Sequence, residues 1–374
     1  MFIIKGNDIK EFFDGKYIPV RSRLFITTGC NLGCLHCYVN AKNPLPDELT
    51  EEEFYKIIDE LIKSGLLYLT ITGGEPLIKK HLVLKIIKYA SKYGIIIRLN
   101  TNGLLIDEEI AKEFSLIPNF HVSISLDGPK EIHERIRGKG TFDKVVNNIK
   151  ILRKYNVRVA ISSVLTKPNI PYMEEMVKLA IKLDTQEIRF PIFLPLGRGK
   201  FNRELLEPDI LDLFKAGKEF SRLTRIYGDK IAMSIDLPPA FIDSDVLYNP
   251  KYEFLKYGCY VGFVRLDIFP DGKIYPCDTF ADNDFIITNC RNNRKLDFIS
   301  IMNSSVVLSK IRESSDKLKG ICGICKFNQT CRGHCRAYSY NVYKDLSSPN
   351  PLCQKLYDIG MFPKEYLIEG KRWM

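Results

Sequence analysis

Residues 23–40 read "RLFITTGCNLGCLHCYVN", a short β-rich run that leads into three cysteines, Cys30, Cys34 and Cys37, at C-x3-C-x2-C spacing. A tetrahedral structural site recruits four protein ligands, whereas a site with three keeps one position open, and open positions are where chemistry happens. The run reads as a strand, so the thiols stand just past its C-terminal end. A zinc knuckle or redox thiols are the plain alternatives for such a triplet. A c-type haem attachment is excluded, because Tyr38 rather than histidine follows Cys37.

The same texture repeats downstream. Between about residues 22 and 195 the runs "RLFITT", "LLYLTIT", "IIIRLN", "FHVSISL", "VRVAISSVL" and "EIRFPIF" alternate with helical patterns. The first helix is explicit: Thr50 and Glu53 form a capping box, and Phe54, Ile57, Ile58, Leu61 and Ile62 follow a helical period. Six strand-helix units in series predict a parallel sheet with right-handed crossovers, either open and doubly wound or curled into a partial barrel. In such barrels the chemistry gathers at the C-terminal strand ends, which is where the three cysteines lie.

Residues 200–258 read as helices and connectors broken by Pro208, Pro238 and Pro239. From residue 259 cysteines become dense and strands scarce, apart from "VRLDIFPDGKIYPC", where Asp271 and Gly272 predict a hairpin turn. The expected division is an N-terminal segment, 1–21, a core domain, 22–215, a helical connector, 216–258, and a metal-organised domain, 259–374.

With 374 residues, 45% of them hydrophobic, the chain can bury a large core and form more than one domain. The N-terminal "MFIIKGNDIKEFFDGKY" lacks the apolar core of a signal peptide, and no apolar run is long enough to cross a bilayer. A cytoplasmic protein without membrane attachment is expected. There the eleven cysteines, clustered at x2, x3 and x5 spacings, point to metal ligation rather than disulfides. The net charge of +10 suits an anionic cofactor or an acidic partner. Its lysines are spread along amphipathic segments such as "HLVLKIIKYASKYG", which argues against nucleic acid.

With His36 before the third cysteine, Cys30, Cys34 and Cys37 match C-x3-C-x-aromatic-C, and the chain resembles the radical S-adenosylmethionine (SAM) enzymes. In that family three thiolates hold a 4Fe-4S cube and SAM chelates the remaining iron. Electron transfer from the cube then cleaves SAM to a 5'-deoxyadenosyl radical. "TGGEP", Thr72 to Pro76, resembles the motif that holds the SAM amino group, which implies contacts at Gly73, Gly74, Glu75 and Pro76. The glycines would allow close backbone approach to the ligand. "LNTNG", with Asn102, ends the third strand and "SISLDGP" the fourth, where Ser125 and Asp127 take positions that the family uses around the ribose and methionine carboxylate. The fifth strand, "VAISSVLT", lacks a clear form of the adenine motif seen in some members. The fold implied is α/β, a partial (β/α)6 TIM-like barrel.

Seven later cysteines resemble the SPASM domain, a C-terminal extension carrying two auxiliary iron-sulfur clusters. Cys259 and Cys277 flank Gly272 at the expected distances, C-x2-C-x5-C-x3-C runs from Cys322 to Cys335, and Cys353 follows. The resemblance implies that Cys322, Cys325, Cys331 and Cys353 fill one 4Fe-4S cluster, while Cys259, Cys277 and Cys335 hold another with its fourth position open to assignment. Zinc is the alternative metal for an all-thiolate field. Cys290 is left over, either as that fourth ligand or as a free thiol, and His334 reads as supporting the neighbouring ligands.

Shared architecture does not name a substrate. Many SPASM enzymes oxidatively modify a peptide or protein side chain, and others act on tetrapyrrole side chains in haem-type pathways. Asp278, after Cys277 in "YPCDTF", resembles the candidate base of sulfatase-maturing enzymes, whereas "LPLGRG", residues 194–199, resembles the tetrapyrrole-modifying members, with Arg198 suited to a carboxylate. The expected function is oxidative modification of a peptide or protein, with tetrapyrrole chemistry second and a non-catalytic iron-sulfur or zinc protein third. A ferredoxin- or flavodoxin-like electron donor would serve the first two.

Overall fold

All six expected strands form, each within a few residues of its expected limits: β1 (Arg21–Phe25), β2 (Tyr68–Thr72), β3 (Ile96–Thr101), β4 (Phe120–Ser125), β5 (Arg158–Ser162) and β6 (Glu187–Phe190). They pair in chain order, every pair parallel. The structure is a computed structural model and describes residues 15–292 and 296–370. Most of the expected N-terminal segment, residues 1–14, lies outside the described residues.

Helices fill the crossovers: α1 (Glu51–Lys63), α2 (Lys80–Ser91), α3 (Glu108–Ser115), α4 (Lys130–Arg137), α5 (Thr141–Lys154) and α6 (Met173–Lys182). The capping box that starts α1 is present in both directions, Glu53 N to Thr50 Oγ1 at 3.3 Å and Thr50 N to Glu53 Oε2 at 2.8 Å. Phe54, Ile57, Ile58 and Leu61 of α1 are buried, with Ile62 half-buried beside them. They join Leu24, Leu69, Ile71, Ile97 and Leu99 from the outer sheet face in one core. Burying each such side chain stabilises the fold by roughly 1.5–3 kcal/mol.

Two further strands extend this sheet. β7 (Ala232–Ile235) pairs in parallel with β6, and β8 (Arg265–Ile268) pairs in parallel with β1. β9 (Lys273–Tyr275) returns antiparallel to β8 through the expected Asp271-Gly272 turn, and β10 (Thr288–Asn289) adds outside it. The order is β10-β9-β8-β1-β2-β3-β4-β5-β6-β7, so β7 and β8 are not neighbours and the parallel wall is open there. The wall is curled. Arg98 on β3 reaches Glu187 on β6 at 2.7 Å, whereas a flat sheet would hold strands three apart at about 14 Å.

Two observations bear on the expected connector. Its boundary at residue 215 falls inside α7 (Ile210–Tyr227), and it contributes a barrel strand, β7. The hairpin of the cysteine-rich region likewise lends β8 to the barrel wall. The inner face is polar: Thr70, Arg98, His121 and Arg158 are successive register partners across β2 to β5. Burial, then Arg98, Arg158 and Arg189, push the His121 pKa down to about 3, so this ring is neutral at physiological pH. Beyond β10 the chain is mainly helical, with α8 (Val306–Asp316), α9 (Arg336–Tyr343) and α10 (Pro351–Asp358). Among the described residues no helix is long and apolar enough to cross a membrane.

Candidate functional site

The loop after β1 carries Cys30, Cys34 and Cys37 at the mouth of the barrel, with Cys34 buried and the others half-buried. Burial, and behind it the neighbouring thiols of Cys34 and Cys37, push the Cys30 thiol up. Thiolates that repel one another in this way need a cationic centre. The turn is held by Cys30 N to Lys42 O at 2.9 Å and Cys37 N to Cys34 O at 3.3 Å.

Gly73 and Gly74 pack the end of β2 against this loop. Gly74 N donates to Thr27 O and Glu75 N to Gly29 O, each at 2.8 Å. A Cβ at Gly74 would lie 2.1 Å from Gly29 O, and one at Gly73, with φ +146°, 2.5 Å from Thr27 O. The close approach that demands glycine is thus to the loop's own backbone. Glu75 is fully buried and ties the ends of β2 and β3 together, accepting from Leu77 N at 3.0 Å, Thr101 Oγ1 at 2.7 Å and Asn102 N at 2.7 Å. Pro76 opens a short 3-10 turn. Asn102 Nδ2 donates to Asn31 Oδ1 at 2.7 Å, which joins the third strand end to the cysteine loop. Ser125 sits half-buried at the end of β4.

Asp127 lies in a buried network of charged groups. Its carboxylate is fully buried and occupied within the chain, accepting from Val164 N at 2.8 Å and from Arg137 Nε at 2.5 Å, with His36 Nε2 at 2.9 Å. Burial alone would raise its pKa, but Arg137 and His36 overcome that and hold it well below the usual carboxylate range. Asp127 positions Arg137, whose Nη1 lies 3.8 Å from Cys34 Sγ. Sequence reasoning did not single out Arg137, the last residue of α4.

Arg198 lies against the cysteine loop. Its guanidinium donates to Cys34 O at 3.1 Å, Ala41 O at 2.8 Å and Asn40 Oδ1 at 3.2 Å, and its N–H to Cys37 O at 2.9 Å. Preceding it, Gly197 has φ +53°, and a Cβ there would meet Tyr38 O at 2.5 Å. The "LPLGRG" segment is thus a clamp on the cysteine loop.

In the C-terminal region Cys322, Cys331 and Cys353 are buried and Cys325 half-buried. After burial, the charges of Cys322, Cys331 and Cys325 are what raise the Cys353 thiol, which places these four together. Fully buried Arg336 stands among them, its guanidinium anchored to Ser348 O and Gly333 O at 2.6 Å. Cys277 and Cys335 each feel Cys259, which forms a second group. Cys290 is not in it. Its charged neighbours are Glu53, Arg291 and Asp271, and its Sγ would lie 3.0 Å from a Cβ on Gly272, at the hairpin turn. Five extended residues, roughly 17 Å, separate that turn from Cys277.

Asp278 is held by three donors. Its carboxylate is buried and accepts from Arg23, from Tyr38 Oη at 2.7 Å and from Arg265 Nη2 at 3.2 Å. Burial opposes ionisation, but Arg23 and then Arg265 pull its pKa down to about 2. A carboxylate so stabilised is a weak proton acceptor. Its bond to Tyr38, next to Cys37, links the cysteine loop to the segment after Cys277.

The model of the radical SAM superfamily matches residues 24–180, and that of SPASM, an iron-sulfur cluster-binding domain, matches residues 259–326. The chain is a radical SAM enzyme with a SPASM domain. It is 29% identical over 347 residues to the AdoMet-dependent heme synthase of Methanosarcina barkeri, covering 88% of this chain and 94% of that one. It is 26% identical over 348 residues to the PqqA peptide cyclase of Bradyrhizobium diazoefficiens, covering 90% and 86%. In structure it is similar to Streptococcus suis SuiB bound to S-adenosylmethionine, with a TM-score of 0.74 at 17% identity over 90% of this chain and 78% of that one.

The radical SAM enzyme uses SAM with a 4Fe-4S cluster, and its SPASM domain binds auxiliary iron-sulfur clusters. The residues fit these groups: buried and half-buried thiols stand in sets, with Arg137 and Arg336 to balance thiolate charge. Among the described residues no three His, Cys, Asp or Glu side chains converge on one metal ion. A cube takes its thiolates at separate corners, one per iron. Replacing Arg198 by alanine is expected to loosen the cysteine loop and to slow 5'-deoxyadenosine formation by about tenfold, the effect of roughly 1.4 kcal/mol. The substrate KM should stay unchanged. A raised KM with normal SAM cleavage would restore Arg198 as a substrate contact.

Proposed function

We propose that this radical SAM enzyme oxidatively modifies a side chain of a peptide or protein. In this reading Cys30, Cys34 and Cys37 hold the SAM-binding cluster, Cys322, Cys325, Cys331 and Cys353 hold one auxiliary cluster, and Cys259, Cys277 and Cys335 hold the other. Gly73, Gly74, Glu75, Pro76, Asn102, Ser125 and Asp127 shape the SAM site. The observation that carries the reading is the 2.7 Å hydrogen bond from Tyr38 to Asp278. It sets the segment after Cys37 against the segment after Cys277, so a substrate in the barrel mouth lies between two cluster sites.

When bound, these groups supply a 5'-deoxyadenosyl radical to take a hydrogen atom from the substrate and an auxiliary centre to accept the electron that oxidation releases. The chain's own residues hold that geometry. Arg23, Arg265 and Asp278 fix the two loops relative to each other, and Arg198 and Arg137 fix the cysteine loop. The open side between β7 and β8 suits an extended chain, and one relative is a peptide cyclase. The electron that starts the reaction would come from a ferredoxin- or flavodoxin-like protein, an acidic partner for a chain of charge +10. The cytoplasm is the expected setting.

The test is anaerobic incubation of reconstituted enzyme with SAM, dithionite and short peptides encoded beside its gene, followed by mass spectrometry. The expected result is 5'-deoxyadenosine together with a peptide that has lost hydrogen. Tetrapyrrole side-chain chemistry is the second reading, favoured by the 29% identity to a heme synthase over 94% of its length. Consumption of a tetrapyrrole with every peptide unchanged would establish it instead.

A further inference from the structure

The loop after β6 does more than clamp the cysteine loop. Leu194, Leu196, Lys200 and Arg203 line one side of an open cavity of about 420 Å³. Thr279, one residue beyond Asp278, also lines it. The remaining wall comes from α9, where Tyr338, Asn341 and Val342 stand at i, i+3 and i+4 and so share one face of the helix. A volume of this size lies within the roughly 300–1,000 Å³ of ligand sites. Each wall is tied to a cluster site. On the first, Arg198 donates to Cys34 O, and Asn202 Nδ2 donates to Leu35 O at 3.1 Å. The turn that holds Thr279 starts just after Cys277, and α9 just after Cys335. The rings of Phe280 and Tyr340, with centroids 6.5 Å apart, join that turn to α9.

The charge of this cavity has one sign. Among the described residues three cations, Lys200, Arg203 and Lys344, line it and no carboxylate does. Glu207 takes up Arg203, with Arg203 Nη2 to Glu207 Oε1 at 3.1 Å. Neither lysine has an ion-pair partner among the described residues, and the Lys344 ammonium lies 5.4 Å over the Tyr340 ring. The side chains of Thr279 and Asn341 likewise have no hydrogen-bond partner among the described residues. Beside these polar groups lies apolar surface from Leu194, Leu196 and Val342, and Val342 is exposed for 50%. A concave site that combines apolar walls with a few unsatisfied polar groups is what ligand recognition uses.

We propose that this cavity takes an acidic side chain and an apolar neighbour of the peptide substrate, a proposal that rests on the reading of the protein as a peptide-modifying enzyme. Lys200 and Lys344 supply the counter-charge, and Leu194, Leu196 and Val342 the apolar contact. The Asn341 amide pairs with a peptide N–H and C=O at once, which favours a peptide over a tetrapyrrole as the source of the carboxylate. Because the walls are fixed to the cysteine loop and to the segments after Cys277 and Cys335, an anchored residue holds its neighbours in the chain near the barrel mouth.

Calorimetry on the SAM-loaded, cluster-replete enzyme tests this with three acetylated and amidated hexapeptides. One carries a glutamate beside a leucine, the second has glutamine for that glutamate, and the third has alanine for that leucine. The first is expected to bind about tenfold tighter than the second, as a charge-assisted bond would give, and about fivefold tighter than the third. Lys200→Gln and Lys344→Gln should each weaken the glutamate preference, and the double variant should abolish it. Both lysines are exposed, so the variants are expected to keep their thermal unfolding and iron content. Equal binding of the glutamate and glutamine peptides to the unmutated enzyme overturns the proposal, as does a preference that survives in the double variant. Porphyrin tetrapropionate is the other probe: if it alone binds, and loses affinity in the double variant, the cavity belongs to a tetrapyrrole and the peptide reading falls with the proposal. Peptide product formed equally by the wild type and the double variant at limiting peptide would overturn the cavity alone and leave the peptide reading standing.

Discussion

Replacing Cys30, Cys34 and Cys37 together by alanine is expected to abolish 5'-deoxyadenosine formation under dithionite while about eight of about twelve irons remain, one cube of three being lost. The selectivity follows from the architecture. The three thiols stand on one loop after β1, whereas the other cysteine groups belong to the region after residue 258 and have their own buried surroundings. Iron and sulfide assay with product analysis reads both effects at once. A triple variant that cleaves SAM at the wild-type rate would show that the active cluster has been assigned to the wrong thiols.

Asp278→Asn is expected to destabilise the enzyme by about 3 kcal/mol. It would leave Arg23 and Arg265 facing a neutral amide, and breaking a buried ion pair from one side typically costs several kcal/mol. The exposed quarter of the Arg23 side chain keeps the cost toward the low end. Because Asp278 also receives the Tyr38 hydroxyl and follows Cys277, its loss should free the two loops from each other, weaken iron retention at Cys277 and uncouple SAM cleavage from product formation. Thermal unfolding, iron content and the ratio of product to 5'-deoxyadenosine would all move together. A general base would behave differently, cutting product formation by roughly 10²-fold to 10⁴-fold at unchanged stability and iron content. That outcome would return Asp278 to the chemistry.

Much of the site was legible in the sequence because its signals are local. Three thiolates on one cluster need fixed short spacings, and tight backbone packing beside them needs Gly73 and Gly74, so both motifs survive as strings. The roles of single charged residues were less legible. Asp127, Asp278 and Arg198 lie in recognisable motifs, yet each one's role depends on partners distant in the chain. Arg137 and His36 take up Asp127, Arg23 and Arg265 take up Asp278, and the carbonyls of Cys34 and Ala41 take up Arg198. The leftover thiol could be placed only once the hairpin was folded, since Cys290 lies at its turn while Cys277 lies beyond its other end.

The same division runs through the fold. The sequence by itself determined six strands, the helices between them and the cap that starts α1, because apolar periodicity and turn chemistry act over a few residues. It also determined which cysteines belong to which spacing pattern. Only the tertiary structure decided that β7 and β8 complete the wall and that the barrel stays open between them. β7 is four residues long and β8 comes from the far end of the chain, so their places are set by pairing with β6 and β1 and not by local propensity.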